Sequence, residues 1–273
     1  MVFHRIYWDK EFDWKNYSKA YDEYCKLQEN YYSQSAKVLV GLMDFGKSSK
    51  IIDLACGTGA LSTELLKDYP DAQIFAIDLA RDVLSYYENN FKSLIGKGQV
   101  EVACGNAEEI HKLTTSKVDT IFVTSAMWDV DIDELLKNAN KVLNKEGVIL
   151  FNLPSVILGE KKGFIFFIED YFRKAMGTNM LYKRIDLDKL MEMLEKRGFE
   201  LVSSKEYCFK MSRENVEKFF DLLKYRYPFI FFPEELSYKE KLQKCTEIFK
   251  DSLESIPDGG IKEEGRVFVI RKR

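Results

Sequence analysis

Two acids and two glycines stand where a nucleoside could be gripped. Asp53 precedes a short turn holding Gly57 and Gly59, and Asp78 follows Gly59 by nineteen residues. Glycine adopts positive φ without steric cost and lets a ligand come close to the backbone. The start of a helix behind such a turn offers N–H groups that lack intrahelical partners. A carboxylate at the end of the next strand can accept from both hydroxyls of a ribose. Asp53 narrows the ligand further. An acid at the start of the turn repels a pyrophosphate and suits a cationic or zwitterionic tail. The third glycine of the dinucleotide pattern G-x-G-x-x-G is also replaced, by Ser62.

These groups need a sheet edge to carry them, and the pattern supplies one. From Ser48 onward, short apolar runs at 50–54, 73–77, 99–103, 120–124 and 148–153 alternate with helical stretches at 61–67, 82–91 and 134–143. Alternation of this kind marks βαβ units and a mostly parallel sheet. Tyr69-Pro70-Asp71 should stop one helix, and Asn144-Lys145-Glu146-Gly147 another. Before the sheet, residues 1–46 read as a helical cap marked by Tyr17, Tyr21, Tyr24 and Tyr31. The sheet's nucleoside-binding part takes 47–153, and 154–273 adds strands at 199–209 and 265–272 with helices inserted between them. Asp186 suits an N-cap, Gly198 a C′ glycine, and Ser237 with Glu240 a capping box. Ser212 should cap a helix through Leu223, with Pro228 and Pro233 punctuating the stretch after it.

Composition excludes several classes. Hydrophobic residues at 46% and charged residues at 31% describe a folded globular chain. With 41 basic against 44 acidic residues, no overall basic field exists to hold nucleic acid. The five cysteines form no C-x-x-C, and the only histidines are His4 and His111, so no metal site is expected. The first ten residues lack the apolar core of a signal peptide, and no apolar run reaches the roughly 20 residues of a membrane span. The expected location is the cytoplasm; oligomeric state is left open.

With these residues in place, the chain resembles the class I S-adenosylmethionine-dependent methyltransferases. The resemblance rests on D-L-A-C-G-T-G-A-L (53–61), A-I-D-L-A-R-D-V-L (76–84), G-N-A-E-E-I (105–110), V-D-T-I-F-V-T-S-A-M-W (118–128) and V-L-N-K-E-G-V-I-L-F (142–151), in that order. It is closest to the small-molecule group that includes ubiquinone-biosynthesis-like and malonyl-acyl-carrier-protein methyltransferases. It implies an α/β, doubly wound Rossmann-like sheet of seven mostly parallel strands, the last antiparallel, with helical cap or lid insertions. It also implies S-adenosyl-L-methionine as cofactor and S-adenosyl-L-homocysteine as product. By the same resemblance, Asp53, Ala55, Cys56, Gly57 and Gly59 hold the methionine end. Asp78 takes the ribose, Leu79 packs by the adenine, and Asn106 with Ala107 reads the adenine edge. Many relatives carry Asp at that place, but an Asn carbonyl can accept from the adenine amino group too. Ser125 would lie near the methionine moiety, and Met127 and Trp128 would border the reaction chamber.

Other features have plainer readings. Cys56 reads as a small apolar filler rather than a reactive thiol, and His111 as a surface residue rather than a base. Asn152-Leu153-Pro154-Ser155 resembles an amino-methyltransferase motif but follows the fifth strand instead of the fourth, and is rejected. The tyrosine stripe reads as packing, with a second reading in which Tyr17 or Tyr21 closes over the cofactor and adds cation–π attraction. The aromatic stretches 164–172 and 225–232, Phe167 and Tyr171 among them, would line a chamber for an apolar or aromatic acceptor. Methyl transfer is an in-line displacement that relies on positioning. Oxygen is the favoured acceptor, with nitrogen or carbon open. No catalytic residue is assigned, although Asp129, Glu169 or a tyrosine could act as base. Two alternatives stand beside this reading: a nicotinamide oxidoreductase, and a non-catalytic cofactor-binding member.

Overall fold

The computed structural model describes residues 12–42, 49–177, 182–232 and 235–273. The expectations placed on the first ten residues, His4 among them, and on Pro233 lie outside the described residues, as does the cap boundary at 46/47. One seven-stranded sheet organises the chain. Its strands are β1 (Lys50–Leu54), β2 (Gln73–Asp78), β3 (Val100–Cys104), β4 (Val118–Val123), β5 (Leu143–Pro154), β6 (Phe199–Met211) and β7 (Ile261–Lys272), in the spatial order 3-2-1-4-5-7-6. The ladders among β1 to β5 are parallel. β7 runs antiparallel to both β5 and β6, as expected for the last strand. The order reverses beside β1, so the ends of β1, β2 and β4 open on a shared crevice, the place where sheets of this kind take ligands.

Two helical layers surround the sheet. Connecting helices are α3 (Ala60–Asp68), α4 (Arg81–Asn90), α5 (Lys92–Gly96), α6 (Ile110–Leu113) and α7 (Ile132–Val142). α9 (Leu187–Lys196) lies against β6, and the cap comprises α1 (Trp14–Cys25), α2 (Tyr31–Val40), α8 (Phe164–Met176), α10 (Arg213–Phe231) and α11 (Tyr238–Glu254). Aromatic packing joins its parts. Phe219 of α10 lies between the rings of Tyr24 and Tyr31, at 4.9 and 5.2 Å. The Tyr31 N–H donates to the Tyr24 hydroxyl at 2.8 Å, which fixes the turn between α1 and α2. Among the described residues, no helix is long and apolar enough to cross a membrane.

Two local expectations need correction. The segment 144–147 does not lie between a helix and a strand. α7 ends at Val142, and β5 already begins at Leu143, paired with Val118. The ladder then shifts register, so Thr120 pairs with Val148, and the extra residues form an irregularity with Glu146 at φ +63°. Pro228 does not end α10 either; the helix runs through it to Phe231. Proline removes one helical N–H, a loss of about 3 kcal/mol in an exposed helix interior. Here Tyr227, Pro228, Ile230 and Phe231 are all buried, with Phe172 packed on the Tyr227 and Phe231 rings at 5.0 Å. That burial offsets the missing bond. The caps at Asp186, Ser212 and Ser237 form as read, the last with both bonds of its capping box.

Candidate active site

The turn after β1 winds through three residues of positive φ: Ala55 at 57°, Gly57 at 57° and Gly59 at 100°. The two glycines are needed for different reasons. A Cβ on Gly57 would stand 2.5 Å from the Tyr21 hydroxyl, so this glycine faces the cap. A Cβ on Gly59 would strike Phe91 and Tyr87, so this one lets the turn pack on the end of α4. The Gly57 N–H donates to Asp78 Oδ2 at 2.9 Å, and the Ala80 N–H donates to Oδ1 at 2.9 Å. Asp78 thereby clasps the first turn to the second, and each of its oxygens keeps a lone pair for another donor. Burial raises its pKa above the ordinary range, against the pull of these N–H groups.

Asp53 lies deeper, at 2% exposure, and accepts from Ser62 Oγ at 2.7 Å. Ser62 Oγ in turn shares a 2.8 Å hydrogen bond with the Tyr87 hydroxyl. The serine at the third glycine position thus supplies the donor that a buried carboxylate needs. Burial pushes Asp53 up to about 7; the Ser62 bonds oppose this and the nearby Asp78 adds to it. Cys56 is buried and its thiol is pushed well up by desolvation, which suits an inert filler. Leu79, Asn106 and Ala107 are half-buried. Asn106 caps a short turn, its side-chain oxygen accepting from the Glu108 N–H at 3.0 Å.

At the end of β4, Ser125 is held at φ +53°, a strained value for a residue other than glycine. Its N–H donates to Asn152 Oδ1 at 2.7 Å, and Asn152 Nδ2 donates back to Ser125 Oγ at 3.3 Å and to the Tyr207 hydroxyl at 3.4 Å. Asn152 is fully buried at the end of β5. It braces Ser125 from the neighbouring strand. Its signal was a single amide in the otherwise apolar run 148–153, which must find a buried partner.

Beyond Ser125 the structure encloses a chamber of about 40 Å³. Tyr31, Tyr32, Trp128, Tyr182, Tyr227 and Arg226 are among its walls. Tyr21 joins it to the turn: its ring covers Gly57, stacks on Tyr17 at 5.9 Å and meets Tyr32 edge-on at 4.9 Å. Trp128 borders this chamber, whereas Met127 is fully buried and, with Phe167 and Tyr171, is not among the described lining residues. Phe167 and Tyr171 instead pack on each other at 5.0 Å, and the Tyr171 hydroxyl bonds Ser255 at the end of α11. Of the carboxylates considered as bases, Glu169 is bound by Arg184 at 2.8 and 3.0 Å. Asp129 accepts from Arg226 at 3.3 Å, and burial pushes it up to about 6 despite that cation. A larger groove of about 870 Å³ runs behind the turn between α1, α2 and α3, but neither Asp78 nor Ser125 lines it. Among the described residues, no group of three His, Cys, Asp or Glu is placed to hold a metal.

The chain is similar to known proteins in sequence and in fold. The family model described as "Methyltransferase domain" matches residues 45–218. A malonyl-[acyl-carrier protein] O-methyltransferase of Acetivibrio thermocellus is 31% identical over 138 residues, covering 50% of this chain and 45% of that protein. A demethylmenaquinone methyltransferase of Leptospira interrogans is 25% identical over 186 residues, covering 61% of this chain and 73% of that one. The chain spans about half the length of several malonyl-[acyl-carrier protein] relatives it matches, the Acetivibrio protein among them. Among solved structures, YjhP from E. coli superposes with a TM-score of 0.62 at 13% identity, over 95% of this chain and 100% of that one. A S-adenosylmethionine-dependent methyltransferase from Geobacter sulfurreducens, in complex with S-adenosyl-L-homocysteine, gives 0.58 at 13% identity, over 93% and 98%. The strand order, the clasped turn after β1 and the family match lead to one assignment: the chain belongs to the S-adenosylmethionine-dependent methyltransferase family.

Proposed function

We propose that this protein binds S-adenosyl-L-methionine in the crevice at the ends of β1, β2 and β4 and transfers its methyl group to a small-molecule acceptor, with oxygen as the favoured acceptor atom. The observation that carries this reading is the Asp78–Gly57 clasp, with the buried Asp53 behind the same turn. The donor set fits the cofactor. Asp78 has lone pairs left for ribose hydroxyls; Leu79, Asn106 and Ala107 flank the space for an adenine. The turn Ala55–Cys56–Gly57–Gly59 and the Ser125 backbone take the methionyl end, and Tyr17 and Tyr21 cover it. Asp53, spoken for by Ser62, acts on a cationic tail through its field rather than by contact. When bound, the cofactor supplies an electrophilic methyl group on a cationic sulfur. The residues bind, align and exclude water, which is where most of the rate comes from in a displacement of this kind.

A nicotinamide dinucleotide suits the site less well, because a carboxylate already occupies the Gly57 N–H that a pyrophosphate would need. The acceptors named for the relatives, malonyl-[acyl-carrier protein] and demethylmenaquinone, differ in chemistry and do not select one for this chain. Calorimetry with S-adenosyl-L-homocysteine tests the proposal. Micromolar binding is expected, and Asp78→Ala should weaken it by about 1–3 kcal/mol, roughly five- to 150-fold. Binding of NAD in its place would overturn the reading.

A further inference from the structure

A line of polar groups on β5, β6 and β7 leads to the chamber. In the antiparallel ladders Phe209 pairs with Glu263, Tyr207 with Gly265 and Asn152 with Val267. Positions 263, 265 and 267 alternate along β7, so these partners share one face of the sheet. Gly265 makes room on that face, since a Cβ there would stand 2.5 Å from the Tyr207 hydroxyl. Tyr207 Oη lies over this glycine. Asn152 Nδ2 donates to it at 3.4 Å from one side, and Glu263 stands two residues along β7 on the other. From the cap, the Tyr31 ring packs on Phe209 at 5.8 Å. Tyr31 and Ile165 both line the chamber beside Ser125. The Ile165 N–H donates to Glu263 Oε2 at 3.0 Å, which sets the carboxyl directly behind the chamber wall.

Two buried atoms in this line lack a partner. Glu263 is fully buried, and its Oε1 makes no hydrogen bond. The Tyr31 hydroxyl, on a residue 2% exposed, lies beside Ser125 but makes no hydrogen bond of acceptable geometry. Glu263 is near enough for its charge to raise the Tyr31 pKa. An unmet hydroxyl and an unmet carboxyl oxygen in one buried space suit a bridging water. Asp129 and Glu169 are each held by an arginine, whereas Glu263 forms no ion pair among the described residues. Its titratable neighbours are Tyr31 from α2, Tyr207 from β6 and Glu264 on its own strand, which Lys162 faces at 3.8 Å. From α8 it meets the Phe164 and Ile165 N–H groups. Burial outweighs these donors and pushes its pKa up to about 8, within reach of ionisation in weakly basic solution.

We propose that Glu263, through the Tyr31 hydroxyl and one bridging water, takes the proton that a hydroxyl-bearing acceptor loses as it is methylated. The proposal rests on the cofactor site above and names the acceptor class for it. The acceptor oxygen forms its bond to the methyl carbon while the C–S bond breaks, the electron pair staying on sulfur. The acceptor's proton moves to Tyr31 Oη, and the Tyr31 proton moves through the water to Glu263 Oε1. A carboxylate and a sulfonium are thus neutralised together. A cationic sulfur should accordingly favour ionised Glu263, and the neutral sulfur of the product should not. Calorimetry with S-adenosyl-L-methionine and S-adenosyl-L-homocysteine from pH 6 to 9 tests this. The two share the tail and nucleoside proposed to face Asp53 and Asp78, and differ in the methyl group and charge on sulfur. The preference for S-adenosyl-L-methionine should grow by about threefold or more as pH rises toward 8, then level off. In Glu263→Gln it should not change with pH. Infrared spectra supply a second readout. A neutral carboxylic acid band should be present in the product complex, weaken with S-adenosyl-L-methionine at the same pH, vanish in Glu263→Gln and shift in Tyr31→Phe. Should Glu263→Gln not fold, the wild-type and Tyr31→Phe spectra carry the test. A preference independent of pH in the wild type, one whose pH dependence survives Glu263→Gln, or a band unmoved by Tyr31→Phe would overturn the proposal. Failure of the wild type to bind S-adenosyl-L-homocysteine would sink the cofactor reading instead, so the two failures are distinguishable.

Discussion

The turn after β1 and the chamber beneath the cap lie side by side, yet they are held together over different distances along the chain. The turn's bonds join near neighbours: Asp53 to Ser62, and Gly57 to Asp78 twenty-one residues away on the adjacent strand. The chamber draws on remote parts. Asn152 braces Ser125 across 27 residues, and Arg226 meets Asp129 across 97. A site built on sheet ends inherits the precision of strand register. One built from docked helices depends on how the helices settle, and its chemistry can change with the cap while the turn stays the same.

That contrast can be broken at four points. The largest effect is expected at Gly57→Val. A β-branched residue at φ +57° is strained, and its side chain would meet the Tyr21 hydroxyl. S-adenosyl-L-homocysteine affinity should fall by about 3 kcal/mol or more, over a hundredfold by calorimetry. Adding Tyr21→Ala should recover only the part due to the clash, and full recovery would show that the turn itself is unstrained. Next is Asn152→Leu, which leaves the Ser125 N–H buried without its acceptor. Urea unfolding should register a loss of about 1–3 kcal/mol, while cofactor-product affinity changes less than in the Gly57 variant.

A third test uses pH. Glu263, on β7, is fully buried; it accepts from the Ile165 N–H at 3.0 Å, and burial pushes its pKa up to about 8. A carboxyl whose folded pKa exceeds its unfolded value near 4.5 holds its proton more tightly in the folded state. Its contribution is complete below about pH 4.5 and is lost as pH rises toward 8. Melting temperatures from pH 5 to 8 should therefore decline in the wild type and be flatter in Glu263→Gln. An equal slope in both would mean that the residue is ionised in the fold. The smallest effect belongs to Ser237→Ala, which removes the capping box of α11 and should cost about 1 kcal/mol of stability with no change in S-adenosyl-L-homocysteine binding.

The same contrast separates what could be read in the sequence from what could not. Strands β1 to β4 and the turn were legible because alternation, glycine placement and the acid spacing are local consequences of backbone geometry. Asp186, Ser212 and Ser237 declared their helix starts for the same reason. Pro228 misled because its cost is local while the aromatic burial that offsets it is not. Segment 144–147 misled because a register shift resembles a loop until the neighbouring strand is present. Arg226 and Tyr31 carried no spacing signal toward the crevice, since only the docked cap brings them there. Phe167 and Tyr171, chosen on aromatic richness alone, pack on each other.

The place of β7 has a consequence for how the molecule is made. β6 leaves the ribosome before β7, yet β7 is the strand that joins it to the sheet. Until β7 emerges, β5 also presents an unpaired edge to the surroundings. A nascent chain in that state carries open strand borders on β5 and on β6, the condition under which sheets stick to one another. Ribosome stalling or early termination shortly before β7 should accordingly give a chaperone-dependent, aggregation-prone product, even though the turn that grips the nucleoside has already been translated.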